Sequence, residues 1–91
     1  MIKSFKHKGL KAFFESGTKK GIQPKHAKRL QEQLAIINTA NNVDDVDFPG
    51  YDLHQLTGNR AEWSIKVNGN WRLTFEFRDG DAYILNYEDY H

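Results

Sequence analysis

The apolar positions of this chain change period near its middle, dividing it into a helical half and a stranded half. Leu10, Phe13 and Phe14 stand at i, i+3 and i+4, one face of a helix. Gly17 suits the left-handed position just past a helix end, so the spacing predicts a helix over about 8–16. Ile2 to Phe5 reads as a short opening strand. Pro24 suits the first turn of a second helix, where its missing N–H costs nothing. Ala27, Leu30, Leu34, Ile37 and Ala40 form one apolar stripe, with Lys25, Lys28, Arg29 and Glu32 on the other sides. This helix runs over about 24–40 and ends at Asn41-Asn42. Val43 to Gly50 is acidic, closes on Pro49-Gly50, and reads as a loop with one helical turn.

Beyond it the period becomes two. Trp63, Ile65 and Val67 alternate with Ser64 and Lys66. Trp71, Leu73, Phe75 and Phe77 alternate with Arg72, Thr74, Glu76 and Arg78. Pairing Val67 with Trp71, Ile65 with Leu73 and Trp63 with Phe75 keeps one apolar face, and requires a three-residue connection or a bulge around Asn68-Gly69-Asn70. A slip of one residue would expose the whole apolar row. Asp79-Gly80 is a type I′ hairpin signal leading into a third strand, Ala82 to Tyr87. A regular register then sets Phe75 opposite Ile84 and Arg72 opposite Tyr87. The second face would carry Arg72, Thr74, Glu76, Tyr83, Leu85 and Tyr87, a mixed surface that is either a ligand platform or is covered by the tail.

The order is strand, helix, helix, then a three-stranded antiparallel meander. Both helices can pack on the row holding Trp63 and Trp71, which read as core. This is a small α+β domain with its helices on one face of the sheet. At 91 residues it is a single domain, 1–91. Its 38% hydrophobic and 13% aromatic content is too apolar for a disordered chain. Cysteine is absent, which excludes disulfide scaffolds, thiolate zinc sites and cysteine nucleophiles. The longest apolar run, Leu34 to Ile37, is far too short to span a membrane, and no secretory signal is expected. The net charge of +1 hides an asymmetry: residues 1–30 carry nine Lys/Arg and one acid, Glu15. Such a basic lobe either attracts a polyanion or is a solvated helix surface.

There is no P-loop, HExxH, GxSxG or GxGxxG motif. The four histidines, at 7, 26, 54 and 91, have no metal-site spacing, so no metal is expected. His7 and His26 sit among lysines and read as solvated. The most unusual feature is the closing run Glu88-Asp89-Tyr90-His91. It brings a carboxylate, a phenol and an imidazole near Arg72. Those are the groups for cutting RNA without metal: one takes the 2′-OH proton, one protonates the leaving 5′-oxygen, and a cation offsets the charge on phosphorus. Exposed tyrosines could stack bases.

Met1-Ile2-Lys3-Ser4-Phe5, Leu56-x-Gly58-Asn59-Arg60, Trp63-Ser64-Ile65-Lys66-Val67-Asn68-x-Asn70-Trp71-Arg72-Leu73-Thr74-Phe75 and Asn86-Tyr87-Glu88-Asp89-Tyr90-His91 together resemble the HigB toxins of the RelE/ParE toxin–antitoxin superfamily. The resemblance covers nearly the whole chain with its motifs in order. It implies the RelE/ParE-like fold and a cytoplasmic, ribosome-dependent mRNA endonuclease without cofactor. The implied partners are the ribosome, mRNA and a HigA-like helix-turn-helix antitoxin that neutralises the toxin; operator DNA would be met only through the antitoxin.

Carried over by position, Arg72 is expected to stabilise the phosphate or transition state. Asp89, Tyr90 and His91 are expected to transfer protons and position substrate. His54, Arg60, Lys66, Asn68 and Tyr87 are expected to contact RNA. Two positions depart: some HigB toxins carry lysine where Thr57 stands and arginine where Asn68 stands. Arg60 and Lys66 are nearby cations, although a lysine lacks the two-pronged fork of arginine. Alternatives remain: a ParE-like gyrase poison, or a degenerate toxin that only binds its antitoxin. Arg72 itself is either a substrate contact or half of an ion pair with Glu76 or Asp89.

Overall fold

The computed structural model describes residues 1–58 and 61–90. Helix α1 spans Lys8–Ser16 and helix α2 spans Ala27–Thr39, preceded by a 3₁₀ turn, Pro24–His26. A second 3₁₀ turn, Val43–Val46, lies in the acidic loop. Four strands follow: β1 His54–Gln55, β2 Glu62–Asn68, β3 Trp71–Arg78 and β4 Asp81–Asp89. They form one antiparallel sheet in the order β1-β2-β3-β4. The α+β class and both helices match the expectation. The two-residue strand β1 is additional; it has no alternating pattern of its own and exists by pairing His54 with Ser64 and Gln55 with Trp63.

Local chemistry fixes the helix ends. His7 caps α1, its Nδ1 accepting from the Leu10 N–H at 3.0 Å. Gly17 closes α1 at φ 81°, its N–H bonded to the Phe13 carbonyl. The apolar stripe of α2 is buried throughout: Ala27, Leu30, Leu34, Ile37 and Ala40 pack with Leu10 and Phe13 against Ile65, Val67, Leu73, Phe75 and Leu85. Each fully buried Leu, Ile, Val or Phe among them contributes about 2 kcal/mol. Trp63 and Trp71 are partly buried and packed against that core. Gly9 and Gly21 bring two backbones together: a Cβ on Gly9 would sit 2.6 Å from the Gly21 Cα, so no side chain fits there.

The strand connections use two devices. Trp63 pairs with Phe75 and Ile65 with Leu73, as the alternation predicts. A bulge between Lys66 and Asn68 leaves Val67 unpaired, and Asn68 rather than Val67 stands opposite Trp71. In the next hairpin Asp79 and Gly80 both have positive φ, 52° and 82°, as a type I′ turn requires.

The regular register expected for β4 holds only as far as Tyr83, opposite Glu76. An extra residue follows, with Ile84 at φ 57°, so that Asn86 meets Thr74, Tyr87 meets Leu73 and Glu88 meets Arg72. The shift turns Leu85 and Tyr87 to the helix side, where they are 0% and 4% exposed. The expected mixed platform is corrected accordingly: those two residues leave the second face, and Asn86 and Glu88 join it. The bulge has a tertiary partner, since the Ile84 N–H donates to the Ser4 hydroxyl at 2.9 Å. The opening segment runs parallel to β4, but its pairing is two isolated bridges, Ile2 with Ala82 and Phe5 with Leu85, rather than a continuous strand. Residues 1–7 still cover the outer edge of β4 through five backbone bonds.

His26 corrects another expectation. It is not solvated but 2% exposed, with Nδ1 2.6 Å from the Tyr87 hydroxyl. Position 26 lies on the same helical face as Leu30, Gln33 and Ile37, which outweighs its lysine neighbours. His7 is half-buried, edge-on to the Tyr87 ring.

Candidate active site

The face of the sheet away from the helices is polar. Cross-strand pairing sets out two rows on it: His54, Ser64, Thr74, Asn86, and next to it Lys66, Arg72, Glu88. Directly opposed residues in such rows have Cβ atoms about 4.5–5.5 Å apart. Arg72 lies at the centre. Its Nη1 donates to the Ser64 hydroxyl at 2.9 Å and its Nη2 to an Asp52 carboxylate oxygen at 2.8 Å. The guanidinium is therefore fixed in direction by two groups from different elements. Ser64 is fully buried beneath this contact, although it faces away from the helices.

The partner of Arg72 is thus Asp52, not Glu76 or Asp89. Glu76 pairs with Arg78 instead, at 3.4 Å. Sequence reasoning missed Asp52 and gave Ser64 no role. For Ser64 the signal was its alternation with Trp63 and Ile65, which puts it on the same face as Lys66. For Asp52 it was absent, because twenty residues of chain separate it from Arg72. Asp52 sits at φ 50°, a left-handed bend that Asp tolerates better than most residues. The Arg72 hydrogen bond holds its carboxyl below the usual range, and the charges of Arg72, His54 and Lys66 add to this.

His54 is exposed, and its Nδ1 lies 3.1 Å from the Asp52 carbonyl. A carbonyl only accepts, so Nδ1 carries the proton and Nε2 is the basic nitrogen of the neutral ring. Tyr90 is 39% exposed, and its backbone N–H is tied to the Asn70 carbonyl at 2.7 Å, which anchors the chain end to the β2–β3 turn. Burial pushes its phenol pKa up, Glu88 and Glu62 push it further, and Arg72 opposes them. The phenol therefore keeps its proton at neutral pH.

Not every expected residue joins this group. Asp89 stands opposite Trp71, in the row adjoining Arg72 and Glu88 but of opposite facing. Tyr87 is in the core, bonded to His26, and offers no open ring for stacking bases. Lys66 and Asn68 are exposed at the end of β2. His91 and Arg60 lie outside the described residues. Among the described residues, no group of three His, Asp or Glu is arranged to hold a metal ion, and no helix is long and apolar enough to cross a membrane.

A family model for HigB-like toxins, the RelE-like toxins of type II toxin–antitoxin systems, matches residues 3–91. The chain belongs to this family. This HigB-like toxin is 52% identical over 92 residues to the protein named Endoribonuclease HigB of Proteus vulgaris, covering 100% of both chains. It is 34% identical over 94 residues to Toxin HigB-1 of Vibrio cholerae serotype O1, covering 100% of this chain and 98% of that one. A small helical layer on an antiparallel sheet is consistent with a RelE-like toxin, and in this HigB-like toxin the sheet's free face carries the Arg72 cluster.

Proposed function

We propose that this HigB-like toxin is an endoribonuclease that cuts messages as they are translated on the ribosome, and that a HigA-like helix-turn-helix antitoxin neutralises it. The observation that carries the reading is the guanidinium of Arg72, fixed by Ser64 and Asp52, with the exposed His54 bonded to the Asp52 carbonyl and the Tyr90 phenol within the field of Arg72. The similarity to the Endoribonuclease HigB of Proteus vulgaris supports it.

Cutting RNA this way is a transfer within the chain. The 2′-oxygen bonds to phosphorus while the bond from phosphorus to the 5′-oxygen breaks, leaving a cyclic phosphate and a free 5′-hydroxyl. In this reading His54 accepts the 2′-OH proton and Tyr90 supplies one to the leaving oxygen. Arg72 stabilises the charge that accumulates on the phosphoryl oxygens. Asp52 and Ser64 hold its plane ready, so little reorganisation is needed when the phosphate arrives. Asp89 and His91 belong to this proposed site as further acid–base and positioning groups, and Arg60, Lys66 and Asn68 as RNA contacts. On this reading the toxin acts in the cytoplasm, where messages are translated.

Primer extension on a translated message tests the proposal. Cuts spaced by codons, vanishing when translation of that message is blocked, are the expected result. Growth arrest with intact messages would overturn it in favour of a non-nucleolytic poison of the ParE kind. Antitoxin binding without growth arrest would identify a degenerate toxin.

A further inference from the structure

Around the edge of the sheet from Arg72 lies a second basic site. β1 pairs with β2 only at Trp63 and Ser64. Beyond them the backbone of Tyr51 bonds Lys66, and the first turns of α2 come alongside, Arg29 and Gln33 both donating to the Lys66 carbonyl. Between these parts is a recess of about 350 Å³ lined by Lys25, His26, Arg29, Gly50, Lys66 and Asn68. Three of these residues are cations, and no carboxylate lines the recess.

The arrangement is partly rigid. Arg29 Nη2 donates to the carbonyls of Gly50 at 3.0 Å and Lys66 at 3.3 Å, and its Cζ lies 4.9 Å from the centre of the Tyr51 ring. Carbonyls and a ring face orient a guanidinium without neutralising it. Lys25 and Lys66 are exposed, and neither forms an ion pair with a carboxylate among the described residues. The carboxylate that does feel Lys66, Asp52, is already bonded to Arg72. His26 is the buried wall, with Nδ1 occupied by Tyr87. Three like charges held around a concavity concentrate positive potential there.

We infer that this recess binds a phosphodiester of the RNA strand that reaches Arg72. Lys66 connects the two sites: its backbone helps build the recess, and it stands opposite Arg72 in the sheet. A strand bound across Arg72 and continuing past Lys66 meets Lys25 and Arg29 next. That continuity favours RNA over an acidic segment of a protein. The inference rests on the RNA-cutting reading of the Arg72 face.

The test is binding of a 2′-O-methyl RNA oligonucleotide, which cannot be cut, across a salt series. Lys25→Ala is expected to weaken binding about fivefold at 0.1 M salt and to reduce the log–log salt slope by about 0.7, the loss of one single-strand phosphate contact. Lys25→Glu should weaken it further. Lys11→Glu, on the exposed side of α1, is the control for general charge and should change affinity less than twofold. All three should melt like the parent chain.

Equal losses from Lys25→Glu and Lys11→Glu would mean diffuse attraction and would overturn the site. A loss confined to antitoxin binding would overturn it too, in favour of an acidic protein segment. A loss seen with ribosomes but not with the free oligonucleotide would overturn the inference as well, because the phosphate would then belong to ribosomal RNA and not to the strand at Arg72. If the parent chain cuts translated messages while the Lys25 variants behave like Lys11→Glu, the recess alone fails. If the parent chain neither binds RNA nor cuts it, the functional reading fails with it.

Discussion

The Tyr87 hydroxyl and Nδ1 of His26 lie 2.6 Å apart, joining the last strand to the turn that begins α2. The Gln23 N–H reaches the same hydroxyl oxygen at 3.4 Å. The hydroxyl oxygen can accept from both, so the direction of its bond to His26 follows the tautomer of the imidazole. Burial lowers its pKa and the charge of Lys25 lowers it further.

Tyr87→Phe removes the hydroxyl and leaves a buried ring nitrogen of His26 without its partner. An unsatisfied buried polar group costs about 1–3 kcal/mol. Chemical denaturation of the variant should show a loss in that range, while message cleavage per folded molecule stays at the parental rate. A cleavage defect with unchanged stability would contradict the core placement of Tyr87 and restore it as an RNA contact.

Acidification should act on the same pair. Well above pH 6.5 the imidazole is neutral in both the folded and the unfolded chain and contributes no pH dependence. As pH falls through about 6.5, the unfolded chain takes up the proton that the folded chain resists, so stability drops. His7, whose pKa burial also lowers, adds to the drop. The melting temperature should be lower at pH 5 than at pH 7.5, and His26→Gln should flatten that difference even if its own melting temperature is lower throughout. An equally steep profile in the variant would place the titration elsewhere.

How much of this was legible in the sequence depends on the range of the interaction. Helix α1 and its Gly17 end, the stripe of α2, the Trp63–Phe75 and Ile65–Leu73 pairs and the Asp79-Gly80 turn all follow from spacing within a few residues. His26 was misread because its lysine neighbours were weighed above its place in the row with Leu30, Gln33 and Ile37. The β4 register was not legible: the extra residue at Ile84 is stabilised by Ser4, eighty positions earlier. From that one bulge follows the reassignment of Tyr87 from the open face to the core. At the site, alternation pointed Arg72 away from the helices, but its partner Asp52 comes from a loop that carries no periodic signal.

Ile84 holds a left-handed backbone that a β-branched side chain disfavours, and it is 43% exposed, so little packing compensates. Ile84→Gly relieves about 1–2 kcal/mol of backbone strain and returns part of it through the greater freedom of the unfolded chain. A net gain of up to about 1 kcal/mol is expected in equilibrium unfolding. Ile84→Val keeps the β-branch and should give no gain. Destabilisation by Ile84→Gly would mean that the bulge is held by side-chain packing rather than tolerated despite strain.

Arg72 separates a catalytic site from a structural cross-link. Its side chain is 16% exposed and bridges buried Ser64 to exposed Asp52. Arg72→Ala leaves the Ser64 hydroxyl without this donor, a stability loss of about 1–2 kcal/mol. If the guanidinium also stabilises the charge developing on phosphorus, its removal costs about 3 kcal/mol of barrier, roughly a hundredfold in rate. Arg72→Lys separates the two roles. An ammonium can still reach Asp52 or Ser64 and recover part of the stability, but it lacks the planar fork that spans two phosphoryl oxygens. The expected result is near-parental melting with cleavage still at least tenfold down. Full recovery of cleavage by lysine would reduce Arg72 to a source of charge, and unchanged cleavage in Arg72→Ala would remove it from the chemistry altogether.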